Sequence, residues 1–229
     1  MSDLQIPFEH RDALDFILHI KKTFSKWGDE FTCVNMGDEV DQHTLSKYAF
    51  DPNGRSAGDE LHEAKQCLKP WFKEFPHTKV CESNHTYRAY KKAFDAGIPQ
   101  EFMRSIAEVY EAPDGWQWKD RHFIDNICFE HGELVSGITA GIRAALDNRM
   151  NTVIGHQHSN GGVAYAGSVK DCIWGLNTGC LIDTDKYAFR YGNKMRKKPT
   201  LGTGIIINGI PFFIPMVLDT KKRWVKRLV

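Results

Sequence analysis

Residues 155–158 read Gly-His-Gln-His and follow directly on the apolar run Thr152 to Ile154. Along an extended strand, side chains alternate between faces, so two histidines one residue apart would point away from each other. Just past a strand end, where the backbone turns at a glycine, both rings can instead reach into one crevice. On its own the pair reads equally well as two loop histidines. Its chemistry depends on what the other strand ends deliver.

They deliver more of the same kind. The run Phe31 to Met36 leads into Gly37-Asp38, Thr78 to Cys81 into Ser83-Asn84-His85, and Phe123 to Phe129 into His131. In open parallel α/β sheets the ligand crevice lies at the carboxyl ends of the strands. The set is oxygen and imidazole without thiolate, which suits Mn²⁺, Zn²⁺, Fe, Ni²⁺ or Mg²⁺ rather than an iron–sulfur cluster. It has more members than one tetrahedral zinc can use. Two neighbouring cations sharing Asp38 would use them all, and such a pair clamps the attacking and leaving oxygens of an in-line displacement at phosphorus.

The elements that must position these residues alternate. Arg11 to Trp27 carries helical spacing through Leu14, Ile17, Leu18 and Phe24 and is expected to end at Gly28. Asp59 to Phe75 repeats the pattern through Leu61, Ala64 and Leu68, with Pro70 expected to end or kink it. Tyr87–Ala96, Pro99–Tyr110 and Ser136–Leu146 also read as helices, and Phe31–Met36, Thr78–Cys81, Phe123–Phe129 and Thr152–Ile154 as strands. This order predicts a largely parallel sheet with helices on its faces. After His158 come four strand-like runs with glycine-rich breaks: Gly162–Val169, Asp171–Ile182, Gly204–Asn208 and Pro211–Leu218. A second, mostly antiparallel sheet is expected there. Without repeats, low-complexity stretches or a linker, residues 1–229 read as a single domain.

Taken in order, Asp3-Leu4-Gln5, Gly37-Asp38-Glu39-Val40-Asp41, Ser83-Asn84-His85, His131 and Gly155-His156-Gln157-His158 resemble the pattern of the calcineurin-like metallophosphoesterase superfamily. That pattern is D-x-H, G-D-x-x-D, G-N-H-(D/E), an isolated H and G-H-x-H. The resemblance implies a two-sheet βαββαβ-type metallophosphoesterase sandwich flanked by helices. It implies one metal held by Asp3, Gln5, Asp38 and His158, and a second held by Asp38, Asn84, His131 and His156. Both would be divalent, Mn²⁺ first among the ions named above. His85 would stand beside them as proton donor to the leaving oxygen or stabiliser of the phosphoryl charge, with Asp41 fixing its ring. The activity implied is hydrolysis of a phosphomonoester or phosphodiester by a hydroxide bridging the metals. The chain departs from the family at Gln5, where histidine is usual, and at Ser83 and Thr86, which replace the residues that usually flank the Asn-His pair.

Composition sets the remaining expectations. The 229 residues carry 41% hydrophobic and 26% charged side chains and six cysteines without CxxC spacing, which read as reduced core thiols of a cytoplasmic protein. The first five residues do not read as a secretory signal, and the most apolar stretch, residues 204–218, is broken by prolines and glycine. Net charge is +1 but uneven: nine of the 30 basic residues and one of the 29 acids lie from Lys194 onward. That tail (219–229 at its end), together with Trp116 and Trp118, favours DNA, RNA or a nucleotide as the phosphate-ester partner. A solvated terminus and core tryptophans are the plain alternatives. The remaining histidines, 10, 19, 43, 62, 77 and 122, are read as having no part in the site, with His43 and His10 the first exceptions to consider as substrate-side groups. Three competing functions stand beside the enzyme: a non-catalytic metal- or nucleic-acid-binding module, a Ser/Thr protein phosphatase (disfavoured by Gln42-His43 after the G-D-x-x-D stretch), and a single structural zinc on His131, His156 and His158.

Overall fold

The short strands of this chain alternate between two environments, and that alternation divides them between two sheets. The computed structural model describes residues 1–25, 31–47, 55–186 and 197–228. Strands β1 (Cys33–Asn35), β2 (Thr78–Cys81) and β3 (Trp116–Lys119) form a parallel sheet in the order β1-β2-β3. A five-stranded sheet has the order β4-β5-β6-β8-β7 and comprises β4 (Arg121–Ile124), β5 (Ile127–Glu130), β6 (Asn151–Ile154), β7 (Gly161–Gly167) and β8 (Cys172–Thr178). Within it β5, β6 and β8 run parallel, with antiparallel β4 and β7 at the edges. The hairpin β9 (Gly202–Ile207) and β10 (Ile210–Pro215) completes the strands among the described residues.

Burial follows this division. On β2, Val80 packs into a core with Phe16 and Ile20 of α1 (Ala13–Phe24) and Leu68 and Trp71 of α2 (Ala57–Glu74), while Cys81 turns to Phe129, Val153 and Leu176 of the five-stranded sheet. On the far side of that sheet, Ile154 packs against Ala140 and Ala144 of α5 (Ala140–Asn148). A cavity of about 560 Å³ opens between the sheets; Val34, Phe129, Val153, Leu176 and Ile205 are among its lining, and no expected ligand residue is. Among the described residues, no helix is long and apolar enough to cross a membrane.

Several expected elements differ. The strands of the first part do not share one parallel sheet; β1 and β2 belong to one, β5 and β6 to the other. The run Phe123–Phe129 is a hairpin, because Asp125 and Asn126 take φ of 51° and 60° and form a two-residue turn between β4 and β5. The W-Q-W segment is a strand, β3, that the sequence reading passed over. Helix α2 runs through Pro70, which is exposed. The stretch Pro99–Tyr110 breaks into a 3₁₀ turn, Gln100–Phe102, and α4 (Ile106–Tyr110), restarted by a capping box in which Ser105 Oγ accepts from Glu108 N and Glu108 accepts from Ser105 N. Tyr87–Ala96 is α3 (Arg88–Asp95). The expected stop at Gly28 lies outside the described residues. The cysteines are free thiols, but Cys172 is exposed rather than core.

Candidate metal centre

The ligand-type residues meet where the carboxyl ends of β1 and β2 face those of β5 and β6. The first residues of the chain supply the last two members by running beside the turn after β1: Asp3 N donates to Gly37 O, Gln5 N to Asp38 O and Ile6 N to Glu39 O. Leu4 and Ile6 between them are fully buried, and this anchors the polar residues that alternate with them. One ligand atom from each of Asp38, His131 and His156 lies within 4.8 Å of the others, and the same holds for Asp3, Asp38 and His158. Asp38 belongs to both groups.

Its two oxygens face different partners. Oδ1 is 3.4 Å from His131 Nε2, and Oδ2 is 3.4 Å from Gln5 Nε2. On the first side, His131 Nε2 also lies 3.1 Å from Asn84 Oδ1 and 3.1 Å from His156 Nδ1. On the second, His158 Nε2 lies 3.0 Å from Asp3 Oδ1 and 3.2 Å from the Gln5 amide. All seven predicted ligands are therefore brought together. Gln5 presents nitrogen here, and coordination requires its amide to turn over and offer oxygen.

The orientation of His131 is fixed from behind. Its Nδ1 lies 2.7 Å from the Met36 carbonyl, which can only accept, so Nδ1 carries the proton and Nε2 is left to face the cluster. Similarly, Asp3 is held by the Ser2 hydroxyl and by the backbone N–H of His156. Glycines allow this crowding. A side chain at Gly155 would meet Asp3 Oδ2 at 2.8 Å and Met36 at 3.1 Å; one at Gly37 would meet Ser83 at 2.7 Å and His131 at 2.8 Å. Asp3, Gln5, Asp38 and His156 themselves take left-handed backbone, with φ of 49°, 47°, 51° and 63°. Each costs on the order of 1 kcal/mol for a residue with a side chain, and such positions concentrate at functional sites.

The electrostatics report an excess of acceptors. Burial alone would raise the Asp38 carboxyl, but His131 and His85 beside it hold it well below the usual carboxylate range. Burial opposes charge on His131, yet Asp38 pushes the ring up to about 10. His158 is likewise raised, its burial outweighed by Asp3, whereas burial and the neighbouring His131 lower His156. Around His131 Nε2, a carboxylate, an amide oxygen and a second imidazole converge. A divalent cation satisfies all of them at once, so the donor set fits the metals the sequence implies.

His85 stands beside this cluster. Its Nδ1 is 2.9 Å from Asp41 Oδ1 and its Nε2 3.6 Å from Asp38 Oδ2. Arg88, which sequence reasoning missed, places Nη2 2.7 Å from His85 Nε2 and donates through Nη1 to the Asp41 carbonyl at 2.6 Å. It begins α3, three residues after His85, a spacing that puts the two on one side of a helical turn. Ser83 and Thr86, the departures beside the Asn-His pair, are used: Ser83 Oγ accepts from Asp38 N at 2.9 Å and lies 2.8 Å from Thr86 Oγ1. Glu39, also unforeseen, is buried behind Asp38, accepts from Trp118 Nε1 at 3.1 Å and is pushed up to about 7 by burial.

Other expected contributors face elsewhere. His10 is buried, accepts from Asp12 N and donates through Nε2 to the Lys222 carbonyl. His43 lies at the rim, 3.9 Å from Asp41. Trp116 is core, its indole N–H on the Phe75 carbonyl. In the C-terminal tail, Arg223 pairs with Asp12 and Lys222 with Asp185, while Lys194 and Arg196 lie outside the described residues. Protein-family models and curated proteins were both searched with this sequence, and neither gave a match.

Proposed function

We propose that this protein is a metal-dependent phosphoesterase built on a two-sheet metallophosphoesterase sandwich. The observation that carries the reading is the sharing of Asp38 between two ligand groups, each completed by imidazole and amide side chains. Asp3, Gln5, Asp38 and His158 would hold one cation, and Asp38, Asn84, His131 and His156 the other. Cations so placed supply Lewis acidity toward the phosphoryl oxygens and a nucleophile at neutral pH. The chain's own contribution is to hold the ligands apart in two sets, to seat the ester against them and to present His85 to it. His85, with Nε2 turned toward Asp38 and Nδ1 against Asp41, is the group placed to steady or protonate the departing oxygen.

The substrate is read as a phosphate ester. With Trp116 in the core and Arg223 committed to Asp12, neither of these argues for nucleic acid in particular. A single structural zinc on His131, His156 and His158 accounts for neither the second cluster nor the His85–Asp41 pair.

Metal-free protein reloaded with Mn²⁺ is expected to hydrolyse p-nitrophenyl phosphate or its bis ester, and Asp38→Ala and His156→Ala to abolish turnover. Should fully loaded wild-type protein cleave neither ester, nor nucleotides, nor DNA, the enzyme reading gives way to the non-catalytic binding module.

A further inference from the structure

Arg88 lies against His85, beside the ligand cluster. Its side chain is half-buried, and its guanidinium spans His85 Nε2 at 2.7 Å, the Asp41 carbonyl at 2.6 Å, and Asp41 Oδ1 and the Gln42 carbonyl, both at 3.3 Å. A guanidinium has donors only. His85 Nε2 must therefore face it as an acceptor, which leaves the ring proton on Nδ1 toward Asp41. Nε2 also lies 3.6 Å from Asp38 Oδ2. In this arrangement the nitrogen that looks into the site is capped by a cation and has no hydrogen bond to offer an ester.

The partners of Arg88 differ in quality. Nη1 is anchored by two backbone carbonyls and the Asp41 carboxylate, an anionic and geometrically fixed set. Nη2 has only an imidazole nitrogen. A phosphoryl oxygen carries negative charge and can take a guanidinium in an ion pair, which makes it a better acceptor than a ring nitrogen.

We propose that Arg88 binds the phosphoryl group of the substrate through Nη2, giving up His85 while Nη1 keeps its anchors, so that the ester takes the place of the imidazole on Nη2. The reaction assumed is the phosphoester hydrolysis proposed above. Arg88 contributes binding and the release of a hydrogen bond; no covalent step at phosphorus is assigned to it.

Inorganic phosphate is the probe. Binding of phosphate by metal-loaded wild type, Arg88→Gln and Arg88→Ala is measured by calorimetry, with KM and kcat for p-nitrophenyl phosphate and with metal content and circular dichroism as controls. Arg88→Ala is expected to weaken phosphate binding and raise KM at least about tenfold, as loss of a charged hydrogen bond does, with metal content unchanged. Arg88→Gln keeps a donor to the Asp41 carbonyl and is expected to share the loss, which separates charge from packing. In nitrogen-15 spectra of the His85 ring, phosphate is expected to shift Nε2 in wild type and not in Arg88→Ala. If wild type hydrolyses esters while Arg88→Ala keeps phosphate affinity and KM within about twofold, the role given to Arg88 is wrong and the phosphoesterase reading stands. If loaded wild type binds phosphate but cleaves no ester, and Arg88→Ala loses that binding, the reverse holds. Wild type that binds no phosphate overturns the Arg88 role.

Discussion

Two buried aspartates illustrate two ways of burying charge in this molecule. Asp12 is closed off: Arg223 reaches both its oxygens, at 2.8 Å and 3.1 Å through Nε, and the Trp224 backbone N–H takes Oδ2 at 2.9 Å. Donors and acceptors balance, and Trp224 behind it packs on Phe16 and His19. Asp38 is open: on one side Asp38, Asn84 and His156 all crowd acceptors onto His131 Nε2, and on the other Gln5 and His158 complete a second group. A balanced cluster is a clamp that fastens the tail to the N-terminal region. An unbalanced one has the donor set to hold a cation. The distinction lies in the count of donors against acceptors, not in the residue types or in the depth of burial.

The contrast is tested most severely at the open cluster. Asp38→Ala or His156→Ala is expected to reduce metal content, measured by atomic emission, and to cut ester hydrolysis at least about a thousandfold, since each removes an interaction on which the reacting centre depends. Chelation of the metals should abolish turnover but leave far-ultraviolet circular dichroism largely intact, because the strands beneath are packed by Leu4, Ile6, Val80 and Ile154. Unfolding on chelation would instead make the cluster a structural site.

Next in size is Gly155→Ala, whose new methyl meets Asp3 Oδ2 at 2.8 Å. Metal affinity is expected to fall about 10- to 100-fold, as for lost supporting contacts at metal sites, with His156 still present. The closed cluster predicts a different readout. Asp12→Ala should lower stability by about 1–3 kcal/mol by stranding the Trp224 N–H, without changing turnover. Arg223 holds the Asp12 carboxyl down to about 2, below its unfolded value near 3.9. The stabilisation is therefore complete above about pH 4 and is lost as pH falls through 2, and Asp12→Asn should flatten that acid limb in denaturant titrations. Smallest of all is Lys221→Gln with Lys226→Gln. Ester turnover and the salt dependence of oligonucleotide binding should hardly move. A slope that drops by about 0.9 per charge removed would instead make the tail a nucleic-acid surface as well as a clamp.

How far the sequence could be read depended on whether a signal was positional. The strand ends were legible because short apolar runs end abruptly at Gly37, Ser83, His131 and Gly155, and the ligands follow at once. The division of those strands between two sheets was not, because it is decided by which face of β2 meets α2 and which meets β5, a tertiary choice. The Asp125-Asn126 hairpin and the Ser105 capping box were written in local residues and passed over. Arg88 carried no motif; only the turn after β2 brings it onto His85. The charge asymmetry of the tail was real but gave no location, and Asp12, two hundred residues away, is where part of it ends.

The left-handed backbone at positions 3, 5, 38 and 156 has an evolutionary corollary. Glycine adopts that geometry without steric cost, so a lineage released from holding cations would be drawn toward glycine at those places and would fold more firmly for it. Keeping Asp, Gln, Asp and His there instead is a standing expense that, on the proposed reading, a bound ion offsets, and that reading would tell working copies of this protein from retired ones by four letters.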